Sequence, residues 1–380
     1  MDLQLDTEHT ILADSAERFL SENYDHSARH GDTGDGGAWQ DDMWGRFAEL
    51  GWLALPFAEE DGGLGAGMVE ISILAEAFGR NLVTEPYMTT VVLCGSLVAA
   101  IGTPDQRAEI LPAIGEGTLR LAFMGGASGE PSLEATKNGD GYILSGARKS
   151  VIDAPMAGRL LVPARLGGTT SVFVLDCDAP GVTIRRHRTI AGGHAADVEL
   201  TGAEAPRAAL LGGLEDAAEA IEAAVDHVIA ALSADAVGAI AKLVEATVEY
   251  TKTREQFGRP ISKFQVLAHR LVDMKVAEEE ARAVTMLAVL SVDAPRNMRR
   301  RAVSSAKSKV GRCARFTGQS AIQTHGAIGT TKELAVGNYV KRLMVYEATY
   351  GSTAHHAELY ADIIADPDTA GAGLLLSPAA

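Results

Sequence analysis

The spacing of apolar side chains changes twice along the chain. Up to about residue 120, and again from about residue 215, apolar residues recur at intervals of three and four, the period of an amphipathic helix. Between these regions lie five short apolar or alternating runs separated by Gly, Pro and Asp, which is typical of β-strands: GYILSG, GRLLVPA, TSVFVLD, GVTIRRH and ADVELTG. The pattern predicts helices first, then a small β-domain, then a second helical region.

Local signals support both kinds of element. Thr103 followed by Pro104 provides a capping residue and a first-turn proline, which together predict a helix start. In the second helical region three apolar stripes predict long antiparallel helices joined by tight loops, as in a bundle. The stripes are Val237, Ile240, Val244 and Val248, then Leu267, Leu271 and Met274, then Val303, Ala306, Val310, Cys313 and Thr317. Short connections between the predicted strands favour antiparallel pairing.

We therefore predict a mainly α fold with a central β-domain. The predicted divisions are an N-terminal α-helical domain over residues 1–120, a β-domain over 121–214 and a C-terminal helical bundle over 215–366. Residues 367–380 show no periodicity, so we predict a loose tail.

Composition narrows the class of protein. Of the 380 residues 47% are hydrophobic and 22% charged, the profile of a soluble globular protein. Because 34 basic side chains face 50 acidic ones, the net charge of −16 disfavours nucleic acid and anionic membranes as partners. A phosphate ligand needs only a local positive pocket and is compatible with this charge.

Cysteine usage and the N-terminus predict a cytoplasmic protein. The three cysteines are far apart without a CxxC spacing, which favours a reduced interior and no structural zinc. The first residues have neither a basic nor an apolar segment, so no signal peptide is predicted. Asp226 and Asp235 interrupt the longest apolar run, so we predict no membrane span.

Two features that resemble ligand sites have simpler interpretations. The glycine-rich stretch EEDGGLGAGM (59–68) follows no strand and lacks the GxGxxG spacing, so we do not interpret it as a phosphate loop. His355 and His356 are adjacent, and on a helix their side chains diverge by about 100°. Packing or surface roles are therefore predicted for them, and no metal site.

The stretch TREQFGRPISKFQ (253–265) interrupts the second helical region with chemistry suited to an anion. Arg254, just past a predicted helix end, could pair bidentately with a pyrophosphate. Phe257, three residues on, could pack on the face of an adenine. The other interpretation is a turn between helices with a solvated Arg.

Three motifs together resemble the acyl-CoA dehydrogenase family. They are EYTKTREQFGRPISKFQ (249–265), AIQTHGAIG (321–329) and LPFAEEDGG (55–63), and the resemblance runs over nearly the whole chain. Within the family, the chain is most similar to small subunits of pimeloyl-CoA-type dehydrogenases and to steroid acyl-CoA dehydrogenases, which often work as mixed-subunit assemblies. The resemblance implies an N-terminal α-domain, a middle β-domain, a C-terminal four-helix bundle and FAD as cofactor.

The resemblance also implies where the adenosine half of FAD is held. The matching residues are Arg254, Gln256, Phe257, Gln265, Gln323 and Gly326. In the family these segments typically grip the FAD of a neighbouring subunit, so we predict a homo- or hetero-oligomer formed through the bundle. Ala327 stands where the second segment usually has another Gly.

The flavin-ring half of the site departs from the family. Glu130 and Pro131 match a segment entering the β-domain, but the Gly-Ser-Asp that usually follows is missing. On the strand that lies against the flavin ring, Ser150 replaces a Trp and Ile152 a Thr. We predict that this chain holds a flavin weakly on its own.

The catalytic base is the second departure. The segment VYEATYGSTAHH resembles the one that carries the family base, which makes Glu347 the candidate. A count without gaps from HGAIG puts Tyr350 at that position instead, and Glu347 one helical turn early. Some relatives keep the base on an earlier helix, but counting places Val228 there, with Asp226 and His227 directed elsewhere. Glu347 is the sole catalytic candidate.

Two functions follow from the resemblance. The first is an enzyme that removes a proton from Cα and a hydride from Cβ of an acyl-CoA, using Glu347 or an unrecognised base. The second is a non-catalytic companion that completes the FAD site of a paralogous catalytic subunit. The residues at 150, 152 and 350 favour the companion.

Overall fold

The computed structural model describes residues 6–24, 41–126, 133–213, 216–331 and 333–365, which form two compact units. The bundle unit comprises the described residues within Met1–Glu22, Ser72–Leu82 and Ile229–Ala380. The sheet unit comprises the described residues within Asn23–Ile71 and Val83–Val228. Both units include residues from the two helical regions of the sequence, and the sheet unit also contains the strands of the larger sheet. The predicted boundaries of the three domains stay predictions.

The element order is helices, then strands, then helices, as the apolar period predicts. The helices are α1 (Thr7–Asn23), α2 (Asp41–Glu49), α3 (Met68–Asn81), a π-helix (Met88–Gly95), α4 (Ser96–Ile101), α5 (Pro104–Gly115), α6 (Ala218–Thr253), α7 (Gln265–Val289), α8 (Arg296–His325), α9 (Val336–Ala348) and α10 (Thr353–Ala365). The strands are β1 (Leu121–Phe123), β2 (Leu133–Asn138), β3 (Gly141–Ile152), β4 (Arg159–Leu166), β5 (Thr169–Asp176), β6 (Val182–Arg188), β7 (His194–Ala205), β8 (Glu255–Gln256) and β9 (Arg259–Pro260). The mainly α fold with a central sheet is confirmed.

The helix start predicted at Thr103 has a full capping box. The Thr103 hydroxyl accepts a hydrogen bond from the Gln106 backbone N–H at 3.2 Å, and the Gln106 side chain accepts one from the Thr103 N–H at 3.0 Å. Two of the N–H groups that a helix start leaves without partners are thereby satisfied.

The sheet unit contains the five predicted strands as β3 to β7, together with β1 and β2, which the sequence analysis missed. The sheet runs in the order β1-β4-β2-β3-β7-β6, with β5 paired to β4. Four pairs are antiparallel, as predicted, whereas β4 pairs in parallel with β1 and β2. The inward side chains of the strands form one apolar core that includes Leu144, Leu160, Val162, Phe173 and Val198.

The bundle unit buries the predicted apolar stripes. Its core contains Val237, Ile240, Val244, Met274, Val310 and Cys313, all almost inaccessible to solvent, together with Tyr339, Leu343 and Tyr346 of α9. Long helices with one buried stripe each are stabilised chiefly by this packing.

Two glycines let α3 and α6 cross in direct backbone contact. A β-carbon at Gly79 would overlap the backbone carbonyl oxygen of Asp235, and one at Gly238 would overlap that of Glu76. Only glycine allows the two helices of the bundle unit to approach this closely.

Helix α6 contains an 18-residue window that is long and apolar enough to cross a membrane by composition, with a mean hydropathy of 1.6. The aspartates within it therefore do not lower its hydropathy as far as the sequence analysis assumed. Because 83% of that window is buried inside the protein, α6 has the burial of a core helix.

Candidate functional site

The segment that interrupts the second helical region forms a β-hairpin between α6 and α7. Strand β8 pairs antiparallel with β9, in the register Glu255 to Pro260 and Gln256 to Arg259. Phe257 and Gly258 make the two-residue turn, with φ angles of 54° and 76°. Positive φ at both central residues is what a tight hairpin turn of the I′ type requires.

Phe257, at the tip of this hairpin, is held out in solvent. Its side chain is 91% exposed, and its ring meets the ring of Phe264 edge to face, with ring centroids 6.0 Å apart. Arg259 lies over the same Phe264 ring at 4.4 Å. An exposed phenylalanine with a positive φ is unfavourable for an isolated chain, and such outliers concentrate at functional sites.

The other residues predicted on this segment are also exposed. Arg254 directly follows α6, and its backbone is fixed at both ends, donating to the Tyr250 carbonyl at 2.9 Å and accepting from the Ile261 N–H at 2.8 Å. Gln256 lies on β8, and Gln265 is the first residue of α7. The backbone at Arg254 is held by hydrogen bonds, and the side chains of Arg254, Gln256 and Gln265 are exposed to solvent.

The second predicted segment lies at the same end of the bundle unit. Gln323 is exposed on the last turn of α8, and Gly326 follows that helix with a φ of 68°. The rings of Tyr250 and His325 stack at 4.3 Å, and the Tyr250 hydroxyl donates to the His325 carbonyl at 3.4 Å. This contact joins the C-terminal ends of α6 and α8, and so brings the Arg254 hairpin and the Gln323 segment together.

Glu347 lies elsewhere. It occupies the last turn of α9, whose 13 residues span about 20 Å, whereas the Gln323 segment precedes the start of that helix. The Glu347 carboxylate accepts a hydrogen bond from the guanidinium of Arg315 on α8. The structure therefore places the candidate base in an ion pair and away from the FAD-contact candidates.

Tyr350, the residue that the gap-free count puts at the base position, lies in the turn between α9 and α10. Its φ is 53°, and its backbone carbonyl accepts a hydrogen bond from Nε2 of His356 at 2.9 Å. His356 is 2% exposed, and its Nδ1 lies 3.3 Å from the Ser304 hydroxyl. Burial lowers the pKa of His356 to about 4, so the ring is neutral. This is a packing role, as predicted for it.

Metal ligation finds no support in the described part of the chain. His355 and His356 meet edge to face with ring centroids 5.3 Å apart. Among the described residues, no three His, Cys, Asp or Glu side chains converge as a metal site would require.

Lys307 is a buried lysine that the sequence analysis missed. The side chain is 1% exposed, and its Nζ donates to the backbone carbonyl of Tyr346 and lies 3.7 Å from the centre of the Tyr346 ring. Burial lowers the pKa of Lys307 to about 7, which the charge of Glu347 opposes. The burial of Lys307 could have been predicted from the sequence, because Lys307 lies beside Val303, Ala306 and Val310 on the buried stripe of α8.

In the sheet unit, the residues predicted near the flavin ring lie on an irregular end of β3. The register with β7 shifts between Arg148 and Val151, and Ser150 within that bulge has a φ of 53°. The Ser150 backbone N–H donates to the Asp197 carboxylate at 3.0 Å. Ile152 pairs with Ala195 in the same ladder. Glu130 and Pro131 lie outside the described residues.

Asp153, directly after β3, is the second buried ionisable group that the sequence analysis missed. It is 8% exposed, has a φ of 61° and accepts a hydrogen bond from the Thr89 hydroxyl at 2.6 Å. Burial raises the pKa of Asp153 to about 7, with the charge of Glu85 acting in the same direction and the Thr89 hydrogen bond opposing it. Burial also raises the pKa of the nearby Cys94 thiol.

Comparison with known proteins identifies related sequences over most of the chain. The signature described as "Acyl-CoA dehydrogenase, N-terminal domain" matches residues 6–118, and "Acyl-CoA dehydrogenase, C-terminal domain" matches residues 218–365. The protein named "Acyl-CoA dehydrogenase FadE27" of Mycobacterium tuberculosis is 32% identical over 235 residues, which is 61% of this chain and 61% of that protein.

Solved structures of similar proteins cover nearly the whole chain. The Tcur3481-Tcur3483 steroid ACAD is 27% identical with a TM-score of 0.85, covering 94% of this chain and 98% of that one. The ChsE4-ChsE5 complex of M. tuberculosis shares the fold, with 24% identity, a TM-score of 0.88 and coverage of 96% and 99%. This chain belongs to the acyl-CoA dehydrogenase family, whose members are FAD-dependent oxidoreductases.

Proposed function

We propose that this chain acts in the flavin-dependent α,β-dehydrogenation of an acyl-CoA thioester, as an enzyme or as a subunit of a heteromeric acyl-CoA dehydrogenase. Bound FAD supplies the acceptor for the hydride that leaves Cβ. A base of the protein takes the Cα proton, which the thioester acidifies. The observation that carries the proposal is the exposed group of Arg254, Phe257 and Gln323 at one end of the bundle unit.

The chemistry of this exposed group suits the adenosine half of FAD. The guanidinium of Arg254 offers paired donors to a pyrophosphate, and Gln256 and Gln323 offer amides for hydrogen bonding. The ring of Phe257 provides an apolar face for an adenine. Phe257 is 91% exposed on a strained turn, and a flat ligand such as adenine would remove its apolar ring from water.

An exposed apolar surface supports oligomer formation through the bundle. Val266, Val272 and Val276 of α7 are 69%, 61% and 52% exposed, and Phe316 of the adjacent α8 is 42% exposed. An ion pair of 2.6 Å between Glu280 and Lys309 joins α7 to α8. Apolar groups at this density suit an interface between subunits. Light scattering that shows a monomer at micromolar concentration would contradict oligomer formation through the bundle.

The name of the Tcur3481-Tcur3483 structure joins two proteins, and ChsE4-ChsE5 is a complex of two as well. We therefore propose a paralogous acyl-CoA dehydrogenase chain as the partner.

The non-catalytic companion is the second candidate function. Glu347 is engaged with Arg315, and the bulge at Ser150 places a small polar residue where a flavin-stacking aromatic is expected. Both observations favour a chain that contributes to FAD binding while the partner carries out the chemistry.

The visible spectrum of the purified chain distinguishes the two functions. We expect less than one FAD per chain when it is purified alone, because the flavin-ring contacts are altered at 150 and 152. A folded protein carrying stoichiometric yellow flavin would instead support a homomeric enzyme. The same preparation, supplied with excess FAD, is expected to oxidise straight-chain acyl-CoAs slowly.

Glu347→Gln is expected to change that slow turnover by less than about threefold, because the carboxylate already pairs with Arg315. Misplacement of a base by even 1 Å costs on the order of a hundredfold, so a base one turn away contributes little. Glu249→Gln, which alters an exposed carboxylate paired with Lys252, is the matched control. Fast turnover in the wild type that collapses only in Glu347→Gln would establish the enzyme and refute the companion.

Arg254→Ala is expected to weaken the binding of FAD roughly 30-fold, because a charge-assisted hydrogen bond contributes about 2 kcal/mol. Fluorescence titration of FAD with the protein as purified measures this. Lys252→Ala removes the same charge two residues away, where Lys252 pairs with Glu249, and is expected to leave the affinity nearly unchanged. Equal losses in both variants would show that only net charge matters.

A further inference from the structure

One face of α8 holds the turn between α9 and α10. Ser304, Lys307 and Gly311 follow one another at intervals of three and four, so they lie on the same side of the helix. Ser304 contacts His356, and Lys307 donates to the Tyr346 carbonyl. At Gly311 a β-carbon would overlap the hydroxyl of Thr353, the first residue of α10. These three residues therefore contact both sides of the turn.

The turn itself is strained and tightly enclosed. Tyr350 has a φ of 53° and Gly351 one of 105°, so two successive residues lie in the left-handed region. For Tyr350 this costs about 1 kcal/mol or more. A β-carbon at Gly351 would lie 2.7 Å from Nε2 of His356, so no larger residue fits. Such a conformation persists only when the surroundings impose it.

The hydrogen bonds around His356 fix which atoms donate. Because the Tyr350 carbonyl can only accept, Nε2 of His356 carries the proton in the 2.9 Å bond. In a neutral ring Nδ1 is then an acceptor, and the Ser304 hydroxyl donates to it at 3.3 Å. Ser304, His356 and Tyr350 thus form a chain of hydrogen bonds from α8 to the turn.

Lys307 contacts Tyr346 at the end of α9, before the turn. Its side-chain nitrogen donates to the Tyr346 carbonyl in the last turn of α9, which also accepts a hydrogen bond from the Thr349 backbone N–H at 3.2 Å. When it is protonated, Lys307 also complements the negative end of the dipole of α9. Because Lys307 is 1% exposed, its desolvation is unfavourable for folding, and its contacts with the carbonyl and the ring of Tyr346 offset part of that cost.

We propose that Ser304, Lys307 and His356 are positioning residues that hold the turn from Thr349 to Ser352 and thereby fix Tyr350 for contact with the acyl-CoA. This inference rests on the proposed function and on the gap-free count from HGAIG, which puts Tyr350 at the position of the family base. A tyrosine there keeps the contact without the carboxylate. The contribution of the three residues is to the geometry of the turn, and not to proton transfer.

Hydrogen exchange followed by mass spectrometry, carried out on the full chain, tests whether these residues stabilise the turn. We expect Lys307→Met and His356→Leu each to speed exchange in a peptide spanning 346–356 by at least tenfold. His356→Gln retains an amide donor near the position of Nε2 and is expected to restore most of the protection. A peptide spanning 250–262, at the other end of the bundle unit, should be unchanged. Ser304→Ala is the milder variant if Lys307→Met does not fold.

Calorimetric titration with octanoyl-CoA tests the consequence. We expect Lys307→Met and His356→Leu to weaken its binding on the order of tenfold, and His356→Gln to bind within threefold of the wild type. Unchanged exchange of the 346–356 peptide in both variants overturns the proposal, as does a loosened turn with unchanged affinity. A wild type that binds no octanoyl-CoA would overturn the contact proposed for Tyr350 and favour the companion function, and this outcome is recognised before any substitution is made.

Discussion

Asp153→Asn is expected to raise the free energy of unfolding on the order of 4 kcal/mol at pH 8 and to change it little at pH 4. The pKa of Asp153 is raised from 3.8 to about 7, chiefly by burial. Between these two values the folded protein keeps a proton that the unfolded chain has released. Stability therefore falls as the pH rises through this window, by about 1.4 kcal/mol per pH unit.

Asparagine removes this titration while keeping the local geometry. Its side-chain oxygen can still accept the hydrogen bond from Thr89, and asparagine tolerates the φ of 61° at this position. Below pH 3.8 the protonated Asp153 is as neutral as the amide, so the advantage disappears.

Urea unfolding of both variants from pH 4 to pH 8 measures the difference. Asp140→Asn, in the exposed turn between β2 and β3, is the matched control. Its free energy of unfolding should stay within about 0.5 kcal/mol of the wild-type value at every pH. If the free energies of unfolding of the wild type and of Asp153→Asn differ by the same amount at pH 4 and at pH 8, the pKa of Asp153 is not raised.

Arg342→Met is expected to lower the free energy of unfolding by about 4 kcal/mol. Nε of Arg342 donates to the Asp235 carboxylate at 2.7 Å, and a second guanidinium nitrogen donates to the other oxygen. The Asp235 side chain is only 4% exposed, so removing the guanidinium leaves a carboxylate buried without its cation. An unpaired buried charge is far costlier than the pair itself.

The double variant Asp235→Leu, Arg342→Met separates the cost of the orphaned charge from the value of the ion pair. Replacing both members of a buried pair by apolar groups is often nearly neutral, so the double variant should recover most of the loss. Lys252→Met, which breaks the exposed pair with Glu249, should cost less than about 1 kcal/mol. If Arg342→Met lowers the free energy of unfolding as little as Lys252→Met does, Asp235 is solvated in the folded protein and the prediction is wrong.

The candidate site was predictable where its residues are consecutive and exposed. Arg254, Gln256 and Phe257 lie on one short hairpin, so a motif of a few letters specifies both their identity and their proximity. The positive φ at Phe257 was not predictable, because only the antiparallel register of β8 and β9 requires it. Glu347 was recognisable as a carboxylate near the right segment, but its ion pair with Arg315 comes from a residue 32 positions away.

The sequence by itself determined the order of helices and strands, the buried stripes of the bundle, and the family. These properties follow from local periodicity and short motifs, in which neighbouring letters carry the information. Only the tertiary structure decided that Asp153 is buried against Thr89, that Lys307 and His356 hold the turn of Tyr350, and that α3 and α6 meet at Gly79 and Gly238. The physical reason is that desolvation, ion pairing and backbone contact depend on which distant residues come together in space, and a periodic pattern along one chain segment contains no record of them.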